Sequence, residues 1–358
     1  MQVFFNKIQD YFNARLPFVV YRKPNKNVLH AIFQKDDFLH TTTTFSESGF
    51  VFAPFDLKNP SVLFKLEDCE NDSAVYQDAE SVSKKTQTEY FIDNEAVSKH
   101  NHVHLVKKGV EFIENSEFKK VVLSRKEEVK ASSKNAIQWY KKLLKKHPSA
   151  MVYWWFHPKV GCWMGATPET LFHIKNDQFY TMALAGTQKF DSKRTTVWQE
   201  KEREEQQFVT DYIVEELQGK LSRFSVSSPK TVKSGNVVHL QTEIEGKVEN
   251  LNSSIKDFVD ALHPTPAVCG LPKEPAKQFI LENEFYNREF YTGFLGELNL
   301  NKSTQLFVNL RCMKIEKNIV SVFTGGGITK DSIAESEWIE TVYKSHNMKE
   351  ILLVLLQR

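Results

Sequence analysis

Three consecutive glycines, Gly325, Gly326 and Gly327, run toward a segment in which Glu337, Glu340, Thr341 and Lys344 recur at spacings of three and four. Read as a helix beginning near Ile333, that spacing brings the four side chains out together. By itself the stack is ordinary helix decoration, an exposed Glu–Lys pair contributing about 0.3–0.5 kcal/mol. The glycines add a second reading, because they let backbone N–H groups approach a carboxylate closely and a helix start adds its dipole. Two further side chains have types suited to proton transfer. In "KKVVLSR", strand alternation puts Lys120, Val122 and Ser124 on one face and Lys119, Val121, Leu123 and Arg125 on the other, so one lysine points inward. A lysine desolvated beside apolar groups can serve as a base near neutral pH, whereas one that snorkels to solvent does no chemistry. In "GATPETLF", Glu169 is either a turn residue or an acid at a cleft wall, where burial would raise its pKa and make it a proton donor. Arg311, in "FVNLRCM", reads as mid-strand, where a buried guanidinium calls for an anion.

The polar segment around 198–220 contains Glu202, Glu204, Glu205 and Glu215, most of which must face water. Two or three carboxylates converging from separate helices would suit magnesium, which also keeps waters and takes oxygens from an anionic substrate. Neither a Walker lysine–serine pair nor dinucleotide glycine spacing is present, which argues against a nucleotide site.

The elements that must position these groups follow from pattern. With 358 residues and 41% hydrophobic content, the chain can bury a large core. Its 47 basic and 45 acidic residues nearly balance, giving no electrostatic reason to expect nucleic acid. Cys69, Cys162, Cys269 and Cys312 lack paired metal spacing and suggest no disulfide framework, which fits a reducing cytoplasm. The N-terminus carries charges inside every apolar run, and no run elsewhere approaches 18 residues, so neither a signal peptide nor a membrane span is expected. Short aromatic runs before residue 95 suggest strands with long connections. Later runs such as "AMVYWWFHP", "GCWMGATPETLFHIKND", "QFYTMALAGTQ" and "TQLFVNLRCMKIEKN" read as strands, separated by helices that include "NAIQWYKKLLKKH" and "VWQEKEREEQQFVTDYIVEELQGKL". Adjacent antiparallel runs interrupted by helices predict an α+β fold, with large mostly antiparallel sheets packed together and helices outside.

In order, "KVVLSR", "GATPETLF", "LAGT", "KEREEQ", "HLQTEIEG", "LHPTPAVCG", "ENEFYNREFYTGFLG", "NLRC", "TGGGI" and "EWIETVYK" resemble the chorismate-utilising enzymes, which include isochorismate synthases, salicylate synthases and the large subunit of anthranilate synthase. The resemblance covers roughly residues 101–358 as a catalytic core, with residues 1–100 a divergent part of one chorismate-binding domain, 1–358. It implies the anthranilate synthase component I-like fold, no amidotransferase subunit, and chorismate as small-molecule substrate; a cytoplasmic monomer is the default expectation. By motif, it implies Lys120 as the base that activates water and Glu169 as the acid that protonates the departing C4 hydroxyl. It further implies Glu205 and Glu340 as magnesium ligands with Glu337 behind them, and Tyr291, Arg311, Lys344 and the backbone near Gly325 as holders of the substrate's carboxylates. His239 and Thr187 would line the ring site. Ala267 stands where members that eliminate pyruvate or use ammonia commonly carry threonine, which favours an isochorismate synthase; menaquinone is expected ahead of siderophore synthesis because short stand-alone synthases are common there. A salicylate synthase and a silent chorismate-binding protein are the rivals. Gln206, Val268 and Cys269 depart from the family's usual histidine, leucine and serine.

Overall fold

Segments such as "MVYWWFH" and "FVVYR" are apolar at consecutive positions, which requires strands covered on both faces. The computed structural model meets that requirement: Met151–His157 and Phe18–Arg22 are buried at every position. It describes residues 1–77, 95–116, 118–190, 196–234, 237–248 and 254–352.

Two antiparallel sheets stack face to face. The nine-stranded sheet runs, edge to edge, Gly270–Leu271, Lys120–Lys130, Ile319–Ile328, Cys312–Ile315, Gly161–Thr167, Met151–His157, Phe18–Arg22, Val28–Gln34 and Cys69–Val75. The ten-stranded sheet is built around Val237–Val248, Gln178–Lys189, Thr170–Lys175, Ser303–Val308, Phe294–Leu300 and Gly49–Ala53. Their inner faces meet through large aromatic side chains, including Tyr153, Trp155 and Trp163 from the first sheet and Phe50, Phe52 and Phe64 from the second. Helices Gln2–Ala14, Glu95–Glu114, Ala136–Lys146 and Lys273–Asn283 cover the first sheet, and Glu200–Leu217 and Ile255–Leu262 the second. This is the α+β arrangement expected from the pattern.

Some elements differ from the reading of the sequence. The first residues form a helix, Gln2–Ala14, that buries Phe4, Phe5 and Ile8. The polar stretch after Leu66 contains an edge strand, Cys69–Val75, that pairs with Val28–Gln34 and alternates between exposed and partly buried positions. "GCWMGATPETLFHIKND" and "TQLFVNLRCMKIEKN" are each two strands, and in both the chain changes sheet at the break. All four cysteines are free.

Candidate active site

The two breaks lie side by side, and they carry Glu169 and Arg311. Between Gly161–Thr167 and Thr170–Lys175 stands Pro168, which has no N–H for a ladder and restricts the residue before it. Between Ser303–Val308 and Cys312–Ile315, Arg311 takes a φ of 48°, in the left-handed region. Arg311 is therefore a crossover residue and not a mid-strand one. The Val308 N–H donates to the Glu169 carbonyl at 3.0 Å, the Ala166 N–H to the Arg311 carbonyl at 3.1 Å, and the Thr167 hydroxyl to the Val308 carbonyl at 2.5 Å. These bonds lace the passages together at the rim between the sheets.

Glu169 is 6% exposed. Burial pushes its carboxyl up to about 7, even though the charges of Lys120 and Arg311 and the neighbouring Thr265 hydroxyl pull the other way. A substantial fraction of this side chain is thus a neutral acid at neutral pH. Burial lowers the guanidinium of Arg311 while Glu169 opposes that shift, so each side chain acts on the other's charge.

Lys120 opens the strand Lys120–Lys130 and is the inward lysine, 7% exposed, while Lys119 is exposed and lies over the Phe208 ring. Its Nζ is 2.6 Å from Glu205 Oε1, on the helix Glu200–Leu217. Burial alone would raise the Glu205 carboxyl; Lys120 and the Gly186 backbone outweigh it and hold Glu205 ionised. Because Lys120 also acts on Glu169, the amine and the acid belong to one site.

Gly325, Gly326 and Gly327 do not open the final helix. They close the strand Ile319–Ile328, paired with Ser124, Leu123 and Val122, and the helix Ala334–Leu352 starts later. What matters is the missing Cβ. A methyl on Gly327 would stand 2.6 Å from Lys120 Cε and 3.8 Å from Glu205 Oε1, and one on Gly326 would stand 3.2 Å from Glu337 Oε2 and 3.9 Å from Glu340 Oε1. The final helix lays its acidic face against this bare backbone: Lys344 Nζ donates to the Gly325 carbonyl at 3.0 Å and pairs with Glu340 at 2.6 Å, and Glu337 accepts from the Ser332 hydroxyl at 2.7 Å. Thr341, from the same stack, turns down into the core, where its hydroxyl accepts from Arg125 Nε at 2.8 Å.

Among the described residues, no three histidine, cysteine or carboxylate groups cluster tightly enough to hold a metal unaided. Glu205 and Glu340 instead face one region, since Lys344, paired with Glu340 at 2.6 Å, also draws the Glu205 carboxyl down, a donor set that fits a hard cation completing its shell with water and substrate oxygens.

His239 sits across the ladder from Thr187, next to a bulge at Gly186, whose φ is 63°. Burial and the Arg311 charge lower its pKa to about 4, so the ring is neutral. Its Nδ1, 3.2 Å from the Gly186 carbonyl, faces an acceptor and therefore carries the ring proton. The Thr187 side chain lies outside the described residues. Tyr291 is buried, stacked on Phe323 at 5.3 Å behind the glycine strand. Ala267 is partly buried in the loop after Leu262, two residues from Thr265.

Three supports had no role assigned from the sequence. Gln206 is fully engaged: its amide donates to the Ala183 carbonyl at 3.1 Å and the Thr242 hydroxyl at 3.0 Å, and its oxygen accepts from the Ala185 N–H at 2.8 Å. It fixes the helix turn that presents Glu205. Glu284 and Arg288 form a buried pair at 2.6 Å, joined to Ser124 and to the Val122 and Val268 carbonyls, which ties the strand of Lys120 to the loop of Thr265. Their spacing of four was visible, but on a segment read as helix that lies beyond its end at Asn283. Thr265 itself gave no signal beyond its two flanking prolines.

A family model described as chorismate binding enzyme matches residues 58–353. The chain belongs to the chorismate-binding enzymes. The match reaches further toward the N-terminus than the motifs, which begin at Lys120. This chorismate-binding enzyme is 28% identical over 313 residues to isochorismate synthase EntC of Escherichia coli strain K12, covering 83% of this chain and 79% of that one. With isochorismate synthase MenF of the same organism it shares 30% identity over 257 residues, 69% of this chain and 59% of the relative. Its fold matches DhbC from Bacillus anthracis with a TM-score of 0.80 at 23% identity, over 98% of this chain and 99% of that one. The fold of anthranilate synthase component I from Streptococcus pneumoniae matches with a TM-score of 0.71 at 19% identity, over 93% and 92% of the two chains.

Proposed function

We propose that this enzyme is an isochorismate synthase, adding water at C2 of chorismate and expelling the C4 hydroxyl. The observation that carries the reading is the buried, partly protonated Glu169 in one site with the Lys120 amine and the Arg311 guanidinium. Lys120 Nζ, in its neutral amine form, takes a proton from the attacking water as the C2–O bond forms. Glu169 delivers its proton to the C4 oxygen, which leaves as water while the ring's conjugated double bonds shift. Arg311 and Lys344 bind the dianion's carboxylates, and neutral His239 borders the ring. Magnesium, held by Glu205 and Glu340 with Glu337 behind them, would neutralise the ring carboxylate. Oriented general acid–base groups of this kind contribute about 10²–10⁴-fold each, and positioning a charged substrate contributes further. Ala267, the smaller residue at its loop position, favours water over ammonia as nucleophile. Menaquinone or siderophore synthesis is the proposed destination of the product.

Chromatography after incubation with chorismate and magnesium tests this reading. Isochorismate should accumulate and disappear when the metal is chelated. Salicylate as the main product would move the chain to the lyase branch, and unchanged chorismate would leave a binding protein.

A further inference from the structure

Thr265 is held rigidly. It stands between Pro264 and Pro266, each with its own φ fixed by the ring. Its carbonyl accepts from the Val268 N–H at 3.0 Å and the Cys269 N–H at 2.9 Å. Arg288 Nη1 donates to the Val268 carbonyl at 2.9 Å, and the ring of His263 meets the Phe55 carbonyl at 3.0 Å. The position of the side chain is therefore set by its surroundings.

The hydroxyl of this residue is buried, the residue being 7% exposed, and no described residue meets it at full hydrogen-bond distance and angle. Toward the neighbouring Glu169 carboxyl it acts only as a loose hydrogen-bond donor. Buried hydroxyls are hydrogen-bonded as a rule, and leaving one unpaired is costly. A residue used here for packing alone could be valine without that cost. The partner of full geometry is then a group that arrives with the substrate at the Glu169 end of the site.

We propose that Thr265 is a catalytic residue whose hydroxyl donates a hydrogen bond to the departing C4 oxygen, beside the proton supplied by Glu169. The inference rests on the isochorismate synthase reading. As the C4–O bond breaks, its electron pair stays on oxygen, the Glu169 proton joins that oxygen, and water leaves. Thr265 keeps its own proton and stabilises the charge that builds on the oxygen before protonation is complete. Such a donor acts mainly in the transition state.

The test is Thr265→Val, which keeps the shape and removes the hydroxyl. The expected result is a fall in kcat of about 10–100-fold in both reaction directions, with the KM for chorismate within about twofold of the parent. Thr265→Ser should return kcat to within about threefold of the parent, because it restores the donor. Parental kcat in Thr265→Val would overturn the proposal, as would a rise in KM with kcat unchanged, or a serine variant as slow as the valine one. Should Thr265→Val fail to fold, Thr265→Ala compared with Thr265→Ser answers the same question. An active parent with an unaffected valine variant sinks this proposal alone; a parent that makes no isochorismate sinks the functional reading beneath it.

Discussion

At the scale of single residues, the site separates groups by what burial does to them. Lys120 keeps a carboxylate at 2.6 Å, whereas around the Glu169 carboxyl the charges of Lys120 and Arg311 and the Thr265 hydroxyl do not offset its desolvation. Lys120→Ala should therefore lower kcat by about 10²–10⁴-fold while chorismate binding, followed by calorimetry, survives. Near-parental turnover in that variant would remove Lys120 from the mechanism. Glu169→Gln should lose turnover to a similar degree and change stability in the opposite sense. A carboxyl whose pKa is raised from 4.5 to about 7 by folding favours the fold fully below the unfolded value, and that contribution is lost as pH rises through about 7. At pH 8 the glutamine variant should be more stable than the parent, by up to roughly 3 kcal/mol, and melt higher, and at pH 4 the difference should vanish. Equal melting curves at both pH values would contradict the burial argument. These two side chains were legible in the sequence because each sits in a short motif whose alternation or turn chemistry gives it a direction. Thr265 was not legible, because an unpaired hydroxyl is defined by what surrounds it.

At the scale of elements, the glycine strand and the final helix work as one device. The bare backbone at Gly326 and Gly327 lets the Lys120–Glu205 pair and the acidic face of Ala334–Leu352 close on the same strand. The two glycines should differ in tolerance. A Cβ on Gly327 would stand 2.6 Å from Lys120 Cε, in a place where Lys120 is tied to Glu205, while a Cβ on Gly326 meets the end of a carboxylate at 3.2 Å. Gly327→Ala should cost at least about tenfold in kcat, by the displacement of a positioned base, and Gly326→Ala should cost clearly less; steady-state kinetics on the two variants would show it, and the reverse order would contradict the geometry. The helical spacing of Glu337, Glu340 and Lys344 disclosed a shared face, but not that Thr341 turns inward to Arg125, since that depends on which strand lies beneath. Likewise, the apolar runs containing Glu169 and Arg311 read as continuous strands, because a change of sheet leaves both halves apolar; only Pro168 hinted at the first break.

At the scale of the whole molecule, the weakly family-like N-terminal part is built into both sheets. Phe18–Arg22 lies between Met151–His157 and Val28–Gln34 in one sheet, and Gly49–Ala53 pairs with Phe294–Leu300 in the other. Tyr21 and Lys23 reach across to Glu297 at 2.7 and 2.5 Å, joining the sheets. Deleting residues 1–77 would strip Val19, Tyr21, Phe50, Phe52 and Phe64 from the central core. That deletion should abolish cooperative unfolding monitored by tryptophan fluorescence; a truncated chain with a sharp transition would show the remainder to be self-sufficient. Motif resemblance was faint there because those strands supply packing, for which many apolar residues serve, whereas the site tolerates few.

The central claim is that base and acid act on one bound ring, with solvent as the incoming group. The direct measurement is to run the reaction in ¹⁸O-labelled water and determine the isotope content and position in isochorismate by mass spectrometry under initial-rate conditions. The account expects one solvent oxygen, at C2, in each product molecule. Unlabelled isochorismate, formed by migration of the substrate's own hydroxyl, would contradict it.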